Sequence, residues 1–195
     1  MDNLRSALQR FERVAAPLDG RRHAAVALAI SSDENGYAIW LTRRAPRMRA
    51  HARQFALPGG GVDQGEDAVD AAVRELHEEI GIAADRSQSL GLLDDYATRS
   101  GYVITPVVLR VADGQEPVPN PAEVSELYRI TFGELETDPR FISIPESTRP
   151  VIQFPLVGHY VHAPTAAVLY QFRELAIYDR VTRVADLEQP VFAWR

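Results

Sequence analysis

Between Gly60 and Ile82 the chain reads GGVDQGEDAVDAAVRELHEEIGI. Wound at about 100° per residue, the part from residue 67 onward puts Val69, Ala72, Val73, Leu76 and Ile80 on one apolar face. The spacing predicts a helix over 67–79, and Gly81 stands where a left-handed residue ends one. Glu75, Glu78 and Glu79 fall on a second face as a solvated ridge, because residues three and four apart are neighbours. Like charges there cost roughly 0.2–0.5 kcal/mol per pair, and Arg74, four residues before Glu78, relieves only part of this. An acidic helix face is usually just hydrated. Such a ridge also suits a hard divalent cation, since Mg2+ takes oxygen ligands, typically one or two carboxylates plus substrate phosphates. Upstream, Gly59-Gly60-Gly61 predicts a backbone that turns through positive φ and comes close to a ligand, or a plain loop. The helix N-terminus beside it favours an anion.

On the N-terminal side, residues 24–30 form an apolar run that reads as a buried strand. Asp33-Glu34-Asn35-Gly36 is a turn signal, and 37–42 reads as the partner strand of a hairpin. Leu4, Leu8, Phe11 and Val14 recur at helical spacing, predicting an N-terminal helix over about 2–15. On the C-terminal side, 102–111 reads as a strand, with Pro106 pointing to an edge or a bulge. A further strand is expected at 127–131. Residues 165–178 read as a C-terminal helix, with Val168, Leu169, Phe172 and Leu175 in phase. Beyond residue 142 there is little other signal. Strands interleaved with helices make this an α/β layered fold, expected as a single domain over 1–195.

Composition narrows the function. Cysteine is absent, so disulfide and thiolate chemistry are excluded and a reducing cytoplasm is the natural compartment. There is no apolar stretch of membrane-spanning length, and the charged first fifteen residues are no signal peptide. The net charge of −6 argues against general nucleic-acid binding. All 21 basic side chains are Arg, so phosphate recognition must use the guanidinium fork; a GC-rich genome gives the same bias.

Gly60, Glu66 and the run Arg74-Glu75-Leu76-His77-Glu78-Glu79-Ile80-Gly81-Ile82 together resemble the Nudix box at every defined position. Seven fixed residue types and two apolar slots coincide by chance below roughly once in a million chains of this length. The resemblance is densest over about 24–135. It implies an α/β/α sandwich around a mixed sheet, with the box as loop–helix–loop. It also implies a Mg2+- or Mn2+-dependent hydrolase of nucleoside diphosphate derivatives. By the resemblance, Glu75 and Glu79 are metal ligands, Glu78 joins them when more than one ion binds, and the Gly60 carbonyl is a further ligand. Arg74 orients a box carboxylate. Glu66 ties the loop to the helix, Glu75 is the candidate base with Glu123 as the alternative, and His77 faces solvent.

Outside the box, Leu41-Thr42-Arg43-Arg44-Ala45, Arg49 and Leu57-Pro58-Gly59-Gly60 resemble the signature of coenzyme A pyrophosphatases. So do Thr98-Arg99-Ser100-Gly101, Ile104-Thr105-Pro106 and Asn120-Pro121-Ala122-Glu123-Val124. This resemblance implies a coenzyme A-like small-molecule substrate contacted by Arg44, Arg49, Arg53, Thr98, Arg99 and Ser100. Five Arg lie within residues 43–53 of an acidic protein, and guanidinium forks suit the 3′-phosphate and diphosphate of coenzyme A. Three departures bear on the substrate: Arg53 replaces a Gly, Leu57 replaces a Phe, and His162-Ala163-Pro164-Thr165 replaces a Trp-Gly-Ala-Thr-like element. Other diphosphate substrates (ADP-ribose, NADH, a nucleotide sugar) are the alternative, and a non-catalytic nucleotide-sensing module is a third reading. A homodimer is left open.

Overall fold

Strand β1 (Arg22–Asp33) is two-faced. Ala25, Ala27 and Ala29 point one way, and Leu28 and Ile30 the other, as the strand period requires. In the computed structural model, which describes residues 1–47 and 52–194, the whole chain is layered about this strand. After β1 come β2 (Gly36–Arg44), β3 (Phe55–Ala56), β4 (Gly59–Gly61), helix α2 (Ala68–Ile80), β5 (Ser89–Leu92), β6 (Tyr96–Ala97), β7 (Tyr102–Arg110), β8 (Val124–Thr131) and the short α3 (Phe132–Leu135), while α1 (Asp2–Arg10) precedes it. The eight strands form one mixed sheet: β1 and β7 run parallel, and the other pairings are antiparallel.

The alanine face of β1 lets α2 approach closely. Ala71, Ala72, Leu76 and Ile80 of the helix bury against Ala25, Ala27, Ala29, Val107 and Leu109. Each fully buried Leu or Ile contributes roughly 1.5–3 kcal/mol. The opposite face packs Leu28, Ile30, Ile39 and Leu41 against α1 and against α4 (Thr165–Tyr178), through Leu4, Leu8, Leu169 and Phe172. Helices therefore cover both faces of a mixed sheet, the α/β/α arrangement expected.

The hairpin, the box helix and the C-terminal helix stand where the sequence puts them, and α4 matches residue for residue. Three expectations are corrected. The N-terminal helix ends at Arg10. Val14 N donates to Asp94 Oδ1 and Ala16 N to Asp95 Oδ2, so tertiary hydrogen bonds replace the next helical turn. Strand β7 is interior, despite Pro106. β6 pairs with 103–104 and β5 with 107–109, so the proline, which has no N–H, falls in the gap between them. Finally, the region after residue 142 carries more than one helix. β9 (Arg140–Ile144), β10 (Ser147–Leu156) and β11 (His159–His162) build a separate antiparallel three-stranded sheet. Val161 and Phe154 bury into the α4 core.

Candidate active site

The site begins where β4 lies beside β1, with Gly60 opposite Ala25. The sequence led us to expect Gly59, Gly60 and Gly61 to turn through positive φ or form a plain loop; they form a strand instead, with no positive φ. Their smallness serves close approach instead. A Cβ on Gly60 would overlap the Glu75 carboxylate, and one on Gly59 would overlap Ala25 O. Glycine here lets the box helix bring Glu75 onto the strand. The helix N-terminus is not an anion site either: Asp67 Oδ1 already accepts from Val69 N and Asp70 N, and Arg86 Nη2 pairs with Asp67 Oδ2 at 2.8 Å.

Arg74 organises the loop and helix. Its Nε donates to Glu66 Oε1 (2.9 Å), Nη2 to Gly61 O (2.9 Å), and Nη1 to Glu75 Oε1 (2.6 Å) and Glu78 Oε2 (3.2 Å). Glu66 Oε2 accepts from Asp63 N, closing the loop. His77 is exposed.

The three glutamates do not form one exposed ridge. Glu78 is half-exposed, Glu75 largely covered, and Glu79 only 2% exposed. Glu79 turns beneath the loop before β8, whose Asn120 N donates to Glu79 O. Burial pushes its carboxyl up to about 7; Arg44 opposes this, with Nη1 3.5 Å from Glu79 Oε1, while the charges of Glu75 and Glu123 reinforce it. Burial also raises Glu75, against the Arg74 hydrogen bond. Glu123 Oε1 accepts from Asn120 Nδ2 (3.3 Å).

Glu75 and Glu78 lean toward Arg74, and Glu79 toward Arg44. Among the described residues no three carboxylate or imidazole groups converge on one cation position. The donors still fit a hard divalent cation. A buried carboxylate stands without full neutralisation, and a side-chain-free glycine abuts a second one. Oxygen donors are the chemistry Mg2+ and Mn2+ take.

A cavity of about 600 Å³ opens beside these groups. Arg44, Arg53, Thr98 and Ser100 line it. Arg43 lies elsewhere, donating to Glu126 Oε1 at 2.8 Å. Arg99 is not on its wall: Nη2 donates to buried Glu188 Oε2 (2.7 Å), and the guanidinium sits over the Trp194 ring. Arg99, expected from the sequence to contact substrate, is here engaged in an ion pair with Glu188. Arg49 lies outside the described residues. The far wall comes from β11 and the tail, with His159, Tyr160, His162, Gln189 and Phe192. Of these only His162 was singled out from sequence, as part of the element that departs from the coenzyme A pyrophosphatase pattern. The dense aromatic and His content of 154–162 was the available signal, but no periodicity tied it to the glycines.

Comparison with known proteins places these features among relatives. The family description "NUDIX domain" matches residues 21–149. A protein of Photorhabdus laumondii named "Uncharacterized Nudix hydrolase NudL" is 38% identical over 117 residues, 60% of this chain and 62% of the relative, so under two thirds of that protein is spanned. One of the same name from Pectobacterium atrosepticum is 32% identical over 169 residues, covering 84% of this chain and 87% of the relative. Among solved structures, the Nudix hydrolase RenU from M. smegmatis superposes with a TM-score of 0.56 at 24% identity, over 84% of this chain and 91% of that one. A NUDIX hydrolase from Nitrosomonas europaea also gives 0.56 at 16% identity, over 84% and 76%. Both structural likenesses speak to the fold.

Proposed function

The chain belongs to the Nudix hydrolase family, and on that premise we propose that it cleaves the diphosphate of coenzyme A or an acyl-coenzyme A. Products are 3′,5′-ADP and 4′-phosphopantetheine or its acyl form. One observation carries the substrate reading. The cavity beside the box glutamates joins a cationic wall, Arg44 and Arg53, to an aromatic and apolar one far larger than a diphosphate needs. Coenzyme A pairs several phosphates with a long, mostly neutral arm. We take the 195 residues to act as one domain, because β11 and the tail complete that cavity.

Nudix hydrolases generally use divalent metals, and here Mg2+ or Mn2+ fits the donors. Glu75 and Glu79, with the Gly60 carbonyl, would hold one ion, and Glu78 would join for a second. When bound, the cation offsets charge on the diphosphate oxygens and lowers the pKa of the attacking water. Arg74 fixes the Glu75 carboxylate by its 2.6 Å hydrogen bond. Arg44 lines the cavity, and in our reading its guanidinium meets a phosphate oxygen there. A water oxygen bonds to phosphorus, the bridging P–O bond breaks, and the water's proton passes to a carboxylate. Glu75 is that base in our reading, with Glu123 as the alternative.

The withdrawal of Arg99 onto Glu188 favours a second reading, in which another nucleoside diphosphate derivative such as ADP-ribose, NADH or a nucleotide sugar is preferred. Turnover of coenzyme A, dephospho-coenzyme A, ADP-ribose and NADH with Mg2+, products resolved by chromatography, separates the two. The first reading requires coenzyme A to win, with 3′,5′-ADP released. Better turnover of dephospho-coenzyme A or a non-coenzyme substrate overturns it.

A further inference from the structure

Gln189 is the most deeply buried polar side chain on the cavity wall, at 1% exposed. Its amide has a settled orientation. The backbone N–H of Arg99 points at one end of it, 2.7 Å away, and a backbone N–H can only donate. That end must be the carbonyl oxygen, so the NH2 group is the other end. Among the described residues no hydrogen bond leaves the NH2, and it is not one of the fully enclosed side-chain nitrogens left without a partner, so the little surface Gln189 keeps includes this donor. A donor on a nearly buried side chain that lines a cavity is satisfied from the cavity, by water or by a bound ligand.

The surroundings hold this donor rigidly. Gln189 N donates to Glu188 Oε1, and Trp194 Nε1 donates to Gln189 O. Glu188 is itself gripped by Arg99, Arg149 and the Ser147 hydroxyl. The tail segment is thereby locked to the loop between β6 and β7 and to the start of β10. Phe192 and His162, which line the same cavity, meet edge to face, 5.2 Å between centroids.

We infer that Gln189 is a substrate-binding residue whose NH2 group donates to a neutral acceptor on the organic part of the diphosphate substrate. This rests on the substrate reading given above. The acceptor is either an amide carbonyl of the pantetheine arm or a ring nitrogen of the adenine. Both present a lone pair that an amide N–H can meet between apolar walls.

The test uses the full chain and two substitutions. Gln189→Glu keeps an oxygen for Arg99 N but removes the donor; Gln189→Met keeps the volume and removes both. Thermal melts with and without Mn2+ establish that each variant is folded and still takes up the metal. Coenzyme A and ADP-ribose, which share the adenine but not the amides, are then compared by KM and kcat. Gln189→Glu is expected to raise KM about tenfold, the loss of one buried hydrogen bond, with kcat little changed. A rise on both substrates assigns the adenine, and a rise on coenzyme A alone assigns the pantetheine amides. Wild-type KM values in folded variants, on every substrate the parent cleaves, overturn the assignment. If the parent cleaves no coenzyme A, the substrate reading fails by itself, and the same comparison on the dinucleotide it does cleave still decides Gln189.

Discussion

Arg44 Nη1 stands 3.5 Å from Glu79 Oε1, close enough to attract but too far for a strong hydrogen bond. The buried carboxylate is thus only partly neutralised by protein. Charge at this point is costly to the fold and favourable to a cation.

Glu79→Gln should separate those two effects. The folded carboxyl sits at about 7, above its ordinary 4.5, so it contributes stability that is complete below about 4.5 and is lost as pH rises through about 7. At pH 8 without metal the variant should therefore melt no lower than the parent, and higher if the buried charge dominates. Its melting temperature should no longer rise with Mg2+ or Mn2+, and turnover should fall by about a hundredfold or more. Near-normal turnover with an intact metal-induced shift would remove Glu79 from the ligand set.

Gly60→Ala tests the contact that brings strand and helix together. The added methyl would overlap the Glu75 carboxylate, so that side chain must swing away. The collision is with the tip of a partly exposed side chain, which limits the stability loss to about 1 kcal/mol. Activity should fall far more, because an ångström of displacement at a catalytic group costs about a hundredfold. Equal, small effects on stability and kcat would mean Glu75 stands where the chemistry does not need it.

The box was legible because its chemistry is local. Glu66, Arg74 and Glu75 meet within a single loop and helix, as the family resemblance implies for the ties of Glu66 and Arg74, and the spacing of four places Glu78 beside Arg74. The burial of Glu79 was not, since its carboxylate comes to lie beside Arg44, thirty-five residues earlier in the chain. Nor was the fate of Arg99, which reads as a loop cation until Glu188 arrives beneath it. The end of α1 at Arg10 has the same origin: Asp94 and Asp95 capture backbone donors from eighty residues away. The glycine run was read for conformational freedom when its use is close packing, and sequence does not distinguish the two.

Arg53 carries a left-handed φ of 62° and lines the cavity. That backbone region costs a non-glycine residue about 1–2 kcal/mol, which fits the glycine that the coenzyme A pyrophosphatase resemblance implies here. Arg53→Gly should relieve the strain while adding unfolded-state entropy, a net gain of up to about 1 kcal/mol. If the guanidinium meets a substrate phosphate, KM for coenzyme A should rise by about tenfold as the melting temperature increases. A more stable variant with unchanged KM would leave Arg53 with no part in recognition.

Glu188 sets the acid limit of the tail. Burial alone would raise its carboxyl, but hydrogen bonds from Arg99, Arg149, Gln189 N and Ser147 outweigh burial and hold it down at about 2. Because the folded value lies below the ordinary 4.5, the stabilisation is complete above about 4.5 and is lost as pH falls through about 2. A shift of that size corresponds to the order of 3 kcal/mol. Glu188→Gln removes the titration and leaves two arginines without their shared anion, so it should be clearly less stable than the parent at pH 7. The gap between the two proteins in urea should close progressively between about pH 5 and pH 2. Because the same cluster orients Gln189, the variant should also raise KM at pH 7 without weakening the metal-induced shift. A stability gap that stays constant down to pH 2 would show that Glu188 is not held ionised by its partners, and the tail would have to be anchored by the Tyr96 hydroxyl on Leu187 O and the apolar contacts around Phe192 instead.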